Sequence, residues 1–445
     1  MPSGEIGVPS AWNVCTSHVT SDIIFPSLPQ LCPAINPRLA ITTMDALFPA
    51  PSRDDLHHYL NLPLSSLPTP SAILHLPTVT RNCARLVSTT QSTLGIRFRP
   101  HTKTHKTLEL TRLQLSGLDH GDVIVSTVRE AEALEPLVRE GVVTGILYGL
   151  PLPPSAVPRL SALRERNPAL DVTVLVDHPS QLPGAGWGVF VKLDNGYHRA
   201  GLPPESAQLQ TLLKAIAASG AELRGFYSHA GHSYSSSSAT ESLRFLADEL
   251  GAVITAATFL GDSGKELILS VGATPTALAA EGMEETVQHI RECGWMLELH
   301  AGVYTLLDLQ QLSTNPAGVG RGDIAITVLA EVASVYPERG EALLALGTTG
   351  LGREPGKIVG WGVVTGWQEG KEWDGERKSG WVVGRISQEH AVLTKEGDGD
   401  AMELRVGMKV RVWPQHACIA GHAHGWYFVT DGEKVLDVWV RCRGW

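Results

Sequence analysis

Nowhere in the sequence do 18 or more apolar residues run without interruption, so no segment is built to span a membrane as a helix. Positive charge is in deficit as well. Against 46 Asp and Glu stand 36 Lys and Arg, a formal charge of −10, and no basic run offers the electrostatic footprint that nucleic acid requires. Cysteine is scarce and scattered. Cys15, Cys32, Cys83, Cys293, Cys418 and Cys442 make no CxxC pair, which excludes a disulfide framework and a zinc-finger pattern and points to reduced thiols in a cytosolic compartment. No repeat dominates, and with 43% hydrophobic and 18% charged residues the disordered, collagen-like and coiled-coil classes are excluded. What is left is a soluble, enzyme-sized chain. Its 445 residues, at roughly 100–200 per domain, correspond to two or three domains or to one large barrel with an accessory domain.

Residues 1–43 differ from the rest. They are rich in Pro, Ser, Thr and Ile, and Glu5, Asp22 and Arg38 are almost their only charges. They hold neither the basic n-region and compact apolar h-region of a secretory signal nor the Arg-rich, acid-poor pattern of a mitochondrial presequence. The expectation is a disordered extension or the product of an upstream start codon, with Met44 opening the next segment.

From about residue 70 to 315 short apolar runs alternate with helical patterns. The strand candidates are Ser71–Leu76, Ile96–Pro100, Val123–Ser126, Gly145–Gly149, Val172–Val176, Gly188–Leu193, Glu222–Ser228, Leu267–Val271 and Met296–His300. Segments between them repeat apolar residues at helical spacing, as at Leu209, Leu212, Leu213 and Ile216. About eight strand–helix units in about 250 residues is the arithmetic of a closed parallel barrel. Even spacing, and the lack of a G-x-G-x-x-G turn after the first strand, favour that barrel over an open doubly wound sheet. Beyond residue 318 short β-rich runs take over, from Ile324–Tyr336 through Lys357–Thr365 to Val435–Arg441. The fold class expected is therefore α/β: a (β/α)8 TIM-like barrel over 44–318 followed by an antiparallel β domain over 319–445.

Five of the strand ends carry polar or glycine-rich turns, and in a parallel barrel the C-terminal strand ends are where active sites are built. Arg99-Pro100-His101-Thr102-Lys103-Thr104-His105-Lys106-Thr107 gathers two lysines, two histidines and an arginine. A lysine there, partly desolvated and near other cations, can act as a Schiff-base amine; the plain alternative is a solvated basic loop capping a helix. Lys192-Leu193-Asp194-Asn195-Gly196-Tyr197-His198-Arg199-Ala200-Gly201 ends a second strand, and Tyr227-Ser228-His229-Ala230-Gly231-His232 a third. Ser270-Val271-Gly272-Ala273-Thr274-Pro275-Thr276 and His300-Ala301-Gly302-Val303-Tyr304 complete the set. Glycine lets a backbone approach a ligand, and free N–H groups with Thr hydroxyls form a nest for an anion such as phosphate. Any one of these is most simply a turn; five at successive strand ends are not.

A sixth motif, His416-Ala417-Cys418, follows the strand-like run Lys409–Trp413 and Pro414. In extended chain, residues i and i+2 share a side with Cα atoms roughly 6.5 Å apart. An imidazole and a thiolate so placed suit a borderline-soft ion such as zinc, and two protein ligands leave room for substrate and water. The alternative is a buried Cys and a hydrogen-bonded His.

Taken in order, RPHTKTHK, KLDNGYHRAG, YSHAGHSY, SVGATPT, HAGVY and PQHAC resemble the D-serine dehydratase family, pyridoxal-phosphate enzymes of the alanine-racemase-like fold (fold type III) with D-threonine aldolases as relatives. The resemblance covers about residues 60–445. It implies a barrel that binds pyridoxal 5'-phosphate at its C-terminal mouth, a β domain that closes the site, and a homodimer. By position, Lys103 matches the catalytic lysine that carries the cofactor; Lys106, the rival on chemistry alone, falls where the motif calls for a helix start. Arg199 is expected near the cofactor's phenolic oxygen, with Tyr197 facing the ring and Tyr227 and His229 lining the pyridine. Gly272, Ala273 and Thr274, with Gly302, Val303 and Tyr304, match the turns whose N–H groups and hydroxyls hold the phosphate. Val303 stands where relatives often carry Asn, so its contact is backbone alone, and the segment Ala345–Gly352 lacks the Asp expected near its start. His416 and Cys418 match the zinc ligands, with His422 and His424 expected behind them or at the surface. D-threonine aldolases typically place a carboxylate where Cys418 stands, so Cys418 argues for zinc and for dehydration.

The activity so implied is dehydration and deamination of a small-molecule D-amino acid in the cytoplasm: D-serine to pyruvate and ammonia, and D-threonine to 2-oxobutanoate. Aldolase-type cleavage of the Cα–Cβ bond is the nearest competing reading. A racemase has no need of a metal at Cys418, and a non-catalytic pyridoxal-phosphate carrier of this fold is usually the barrel without a β domain.

Overall fold

The structure is a computed structural model that describes residues 51–261, 266–371, 373–397 and 399–445. The extension expected over 1–43 lies outside the described residues. Eight parallel strands form the first sheet: β2 (Arg97–Pro100), β3 (Asp122–Val125), β4 (Gly145–Pro151), β5 (Asp171–Val176), β6 (Gly188–Lys192), β7 (Glu222–Tyr227), β8 (Ile268–Val271) and β9 (Met296–Ala301). They pair in the order β2-β9-β8-β7-β6-β5-β4-β3, and one parallel bridge between His101 and Ile124 closes the seam from β2 to β3. The barrel is therefore all but closed, and its seam lies two residues from Lys103.

The two-residue period of a strand divides these segments between the barrel's outside and its lumen. Val123, Val125, Ile146, Val174, Val189, Val191, Phe226, Leu269 and Leu299 pack outward against the helices. Ile124, Leu147, Leu175, Phe190 and Tyr227 meet inside. Helices between strands begin at side-chain caps: Thr127, Ser206 and Ser238 accept the N–H groups of Glu130, Leu209 and Glu241. The longest runs from Ala239 to Leu260 and buries Leu246, Leu250 and Val253 on one face.

The second sheet has nine strands: β1 (Ser71–His75), β10 (Ile326–Tyr336), β11 (Glu341–Leu344), β12 (Gly362–Thr365), β13 (Lys378–Ile386), β14 (Ala391–Lys395), β15 (Lys409–Pro414), β16 (Trp426–Thr430) and β17 (Val435–Val440). Their order is β11-β14-β13-β12-β15-β10-β1-β16-β17, antiparallel except where β1 runs parallel to β16. Two expectations need correction. Ser71–His75, which was to open the barrel, pairs instead with β10 (Ser71 opposite Leu329) and β16 (Ile73 opposite Phe428), so the barrel starts at Arg97. The apolar run SAILH is buried on both faces and fits either sheet; only partners more than 250 residues away decide between them. The strand expected over Lys357–Thr365 begins only at Gly362. Gly356 and Gly360, the latter at φ +88°, flank an irregular strap in which Val359 is exposed.

Candidate active site

The five strand-end turns converge at one mouth. The loop after β2 is a single turn in which the N–H of Lys106 donates to the carbonyl of Thr102 at 2.9 Å. That closure puts Lys106 at φ +56° and separates the two lysines. Lys106 Nζ pairs with Glu130 Oε1 at 2.9 Å and approaches the Trp445 ring, whereas Lys103 forms no ion pair among the described residues. Burial lowers the Lys103 amine from its ordinary pKa, and Arg199 pushes in the same direction against the pull of Cys418 and Glu130. Gly302 faces this side chain: a Cβ there would stand 3.7 Å from Lys103 Cε and 3.4 Å from His101 Cβ. His101 Nδ1 accepts the N–H of Lys103 at 3.3 Å, and its Nε2 meets Ser126 Oγ at 3.2 Å.

One side of the lumen is polar. Arg99 Nε donates to Glu298 at 3.0 Å, and Ser270 Oγ donates to the same carboxylate at 2.9 Å. With its hydrogen so committed, Ser270 can only accept from His300 Nδ1, 3.0 Å away, which fixes the His300 tautomer and leaves its Nε2 buried without a partner. The His300 ring stacks on Tyr227 at 4.1 Å and 11°. His229 Nδ1 donates to the Gly272 carbonyl at 2.6 Å, and its ring lies 6.0 Å from that of His300. Burial, with Lys103 nearby, holds His229 well below its ordinary pKa, so it is a neutral imidazole. Tyr197 packs across Gly231 and His232 with the Arg199 guanidinium 5.2 Å from its ring centre.

At the end of β8, Gly272 has φ +142° and touches His300, where a Cβ would come within 2.1 Å of a carbonyl oxygen. The N–H of Ala273 is already taken by Thr276 Oγ1 at 2.7 Å. The hydroxyls of Thr274 and Ser228 are buried without partners. Val303 starts the short turn Val303–Thr305, but the Tyr304 side chain, expected at the mouth, is directed into the core, edge-on to Phe98 at 5.5 Å. Only its backbone is left to face a ligand.

The β domain delivers the sixth motif to the same place. Cys418 Sγ donates to Thr104 Oγ1 at 3.3 Å, one residue from Lys103. Although burial opposes it, the neighbouring His416 imidazole, with Lys103 and Thr104, lowers the thiol's pKa. His416 is raised to about 9 against the effect of burial, by Cys418, Asp308 and Glu354. His416 Nδ1 is buried without a hydrogen bond, its nearest carboxylate being Glu354 at 3.7 Å. His424 is turned away, its Nε2 on the Gly350 carbonyl at 2.9 Å.

Three site residues were not singled out from sequence. Lys192 ends β6 inside the barrel, with Nζ on the Leu193 carbonyl and 5.2 Å from the Tyr227 ring; burial brings it down to about 8. Glu249 is fully buried behind Ala230 and Gly272, and burial pushes its carboxyl up to about 8. The Tyr234 hydroxyl is buried within the electrostatic reach of both Cys418 and Arg199. A polar residue at a lumen-facing strand position, or a carboxyl on the apolar face of Ala239–Leu260, was the available signal.

The residues present fit pyridoxal phosphate: a desolvated lysine without an ion pair, a glycine that leaves it room, and orphaned hydroxyls beside the Gly272 turn. Lys103 would carry it, with Thr274, Ser228 and the turns at Gly272 and Gly302 around its phosphate. For a metal, no group of three or more His, Cys, Asp and Glu converges among the described residues. The His416–Cys418 pair, with an unpartnered ring nitrogen and a thiol of lowered pKa, has the donor chemistry of a two-ligand site with open positions.

A lysine at the mouth of a parallel barrel, closed over by an antiparallel β domain, defines the fold type III class of pyridoxal-phosphate enzymes. Family models agree on both halves: "Alanine racemase, N-terminal domain" matches residues 74–297 and "Putative serine dehydratase domain" matches 325–430. D-serine dehydratase of Schizosaccharomyces pombe is 36% identical over 408 residues, 87% of this chain and 94% of that protein. D-serine dehydratase of Saccharomyces cerevisiae is 34% identical over 88% of this chain and 100% of its own. Among solved structures, D-threo-3-hydroxyaspartate dehydratase from Delftia sp. HT23 superposes with a TM-score of 0.73 at 28% identity, covering 86% of this chain and 100% of the other. That enzyme name also appears on two alanine variants, one at a histidine and one, in a metal-free form, at a cysteine two residues further on. The chain belongs to the D-serine dehydratase family of alanine-racemase-like pyridoxal-phosphate enzymes, and it is a lyase acting on a D-amino-acid-like substrate.

Proposed function

We propose that this protein dehydrates and deaminates D-serine, and D-threonine with it, using pyridoxal phosphate on Lys103 and zinc on His416 and Cys418. The observation that carries the proposal is the Cys418–Thr104 contact at 3.3 Å, which brings the soft-ligand pair to the residue next to Lys103. The two substitution variants of the related dehydratase, at a histidine and a cysteine with the same two-residue spacing, support a metal at this pair.

Bound pyridoxal phosphate supplies the electron sink that makes a Cα–H bond acidic. Lys103 Nζ, whose pKa burial lowers, is placed to accept the proton from Cα of the D-amino acid. Zinc, when bound, supplies Lewis acidity to the β-hydroxyl oxygen, the poor leaving group of this reaction. His416 and Cys418 hold that side of the substrate, and Asp308 fixes their helix by accepting the Ala417 N–H at 2.7 Å. Arg199, with its guanidinium 5.2 Å from the Tyr197 ring, and Tyr234, within electrostatic reach of Cys418 and Arg199, add polar groups beside the site. Loss of hydroxide from Cβ and hydrolysis of the released enamine give a 2-oxo acid and ammonia.

Product analysis with D-serine, with and without a chelator, tests the reading. Pyruvate and ammonia should form, vanish on chelation and return with zinc. Glycine and formaldehyde would overturn it in favour of aldol cleavage, and turnover indifferent to chelation would remove the metal.

A further inference from the structure

Arg441 follows β17 and sends its side chain inward, where it is buried. Its Nε donates to the carbonyl of His105 at 3.0 Å, two residues after Lys103. Its Nη1 donates to the carbonyl of Gly421 and, at 3.3 Å, to that of His424, at the far end of the helix Ala417–His422 that carries Cys418. The Tyr427 ring lies against the guanidinium, 5.3 Å away. The next residue extends the seam, the Cys442 N–H donating to the Lys106 carbonyl at 2.8 Å.

Two features of this arginine bear on its role. Buried guanidinium groups are ordinarily matched by a carboxylate, yet among the described residues Arg441 has none and is held by carbonyls from two distant segments. A cation at a helix C-terminus is favourable in itself, but that role needs no contact with His105. The guanidinium is a rigid planar fork, so donors that diverge to the two segments hold them at a fixed spacing, which a flexible ammonium cannot do.

We infer that Arg441 is a positioning residue: its guanidinium sets the separation between the loop that carries Lys103 and the helix that carries Cys418. The inference rests on the proposed function, in which base and metal pair act on adjacent carbons of one substrate. A displacement of about 1 Å between such groups costs on the order of a hundredfold in rate.

The test uses full-length Arg441→Met and Arg441→Lys proteins. Amide hydrogen exchange on protein stripped of cofactor reads how firmly the two segments are held. In Arg441→Met, peptides covering 101–107 and 417–424 should exchange faster together while those of β4 and β5 stay unchanged. In cofactor-loaded protein with D-serine in D2O, 2-oxo acid formation should fall on the order of a hundredfold. Deuterium incorporation at Cα should fall much less, because the base still works. Arg441→Lys keeps the charge but not the planar fork, so it should show the same losses, and it carries the test alone if the Met variant does not fold. Loosening of one segment or of neither, or exchange and elimination falling in proportion, would overturn the inference. Wild-type protein that forms no 2-oxo acid would end the proposed function while the amide-exchange result still stands on its own.

Discussion

Asp308 starts two helices at once: Oδ1 accepts the N–H of Gln311 at 2.8 Å and Oδ2 that of Ala417 at 2.7 Å. One buried carboxylate thus joins the chain leaving the barrel to the turn that presents His416 and Cys418. Asp308→Ala strands two buried N–H groups, each costing about 1–3 kcal/mol. Urea unfolding should show a loss of about 2–6 kcal/mol, and Asp308→Asn, which keeps one good acceptor, a smaller one. Equal losses would mean that the acceptor Asn retains contributes nothing.

Lys103 and Lys106 are three residues apart and chemically alike, but only Lys106 is spent in an ion pair. Lys103→Ala should abolish the visible absorbance of the bound cofactor, and Lys106→Met should retain it while losing thermal stability through Glu130. A full absorbance band in the Lys103 variant would remove that lysine from its role.

Cys418→Ala should bind cofactor with an unchanged absorbance band and lose 2-oxo acid formation by at least about a hundredfold. Added zinc should not restore it. Undiminished turnover in that variant would remove the thiol from the chemistry.

Glu249 gives a pH signature. Burial raises its folded pKa from 4.5 to about 8, so between those values the unfolded chain releases a proton that the folded one keeps. Folding therefore loses about 1.4 kcal/mol per pH unit across that window, with no penalty below it and the full penalty above. Glu249→Gln should raise Tm over wild type at pH 8 and change it little at pH 5. A Tm difference constant with pH would contradict this.

The strand ends were legible because each short run gives way to a polar or glycine-rich turn, and an inward strand position filled by Ser270, Glu298 or His300 has few other uses inside a barrel. Asp308 could have been found from its pattern, Asp-Leu-Gln-Gln with the cap three residues before Gln311. Other features were not local. Nothing in THK distinguishes the two lysines, because Glu130 decides it from another helix. Tyr304 looks like a mouth residue until Phe98 draws its ring into the core. Arg441 reads as the end of the last strand-like run, and its meaning lies wholly in carbonyls that the fold brings to it.

The position of β1 also orders events in time. A strand completed at His75 lies between β10 and β16, and its parallel neighbour ends only at Thr430. At synthesis rates of about 5–20 residues per second, β1 leaves the ribosome some tens of seconds before that neighbour exists. Until β10 is made it has no sheet to join, and even when paired with β10 it presents an open edge at Ile73 and Leu74 until β16 is complete. The barrel can form meanwhile, but the second sheet is sealed only by the last stretch of chain, so the domain that completes the active site is also the last to be finished. A fragment beginning at 319 would lack an inner strand of its own sheet and should aggregate rather than fold.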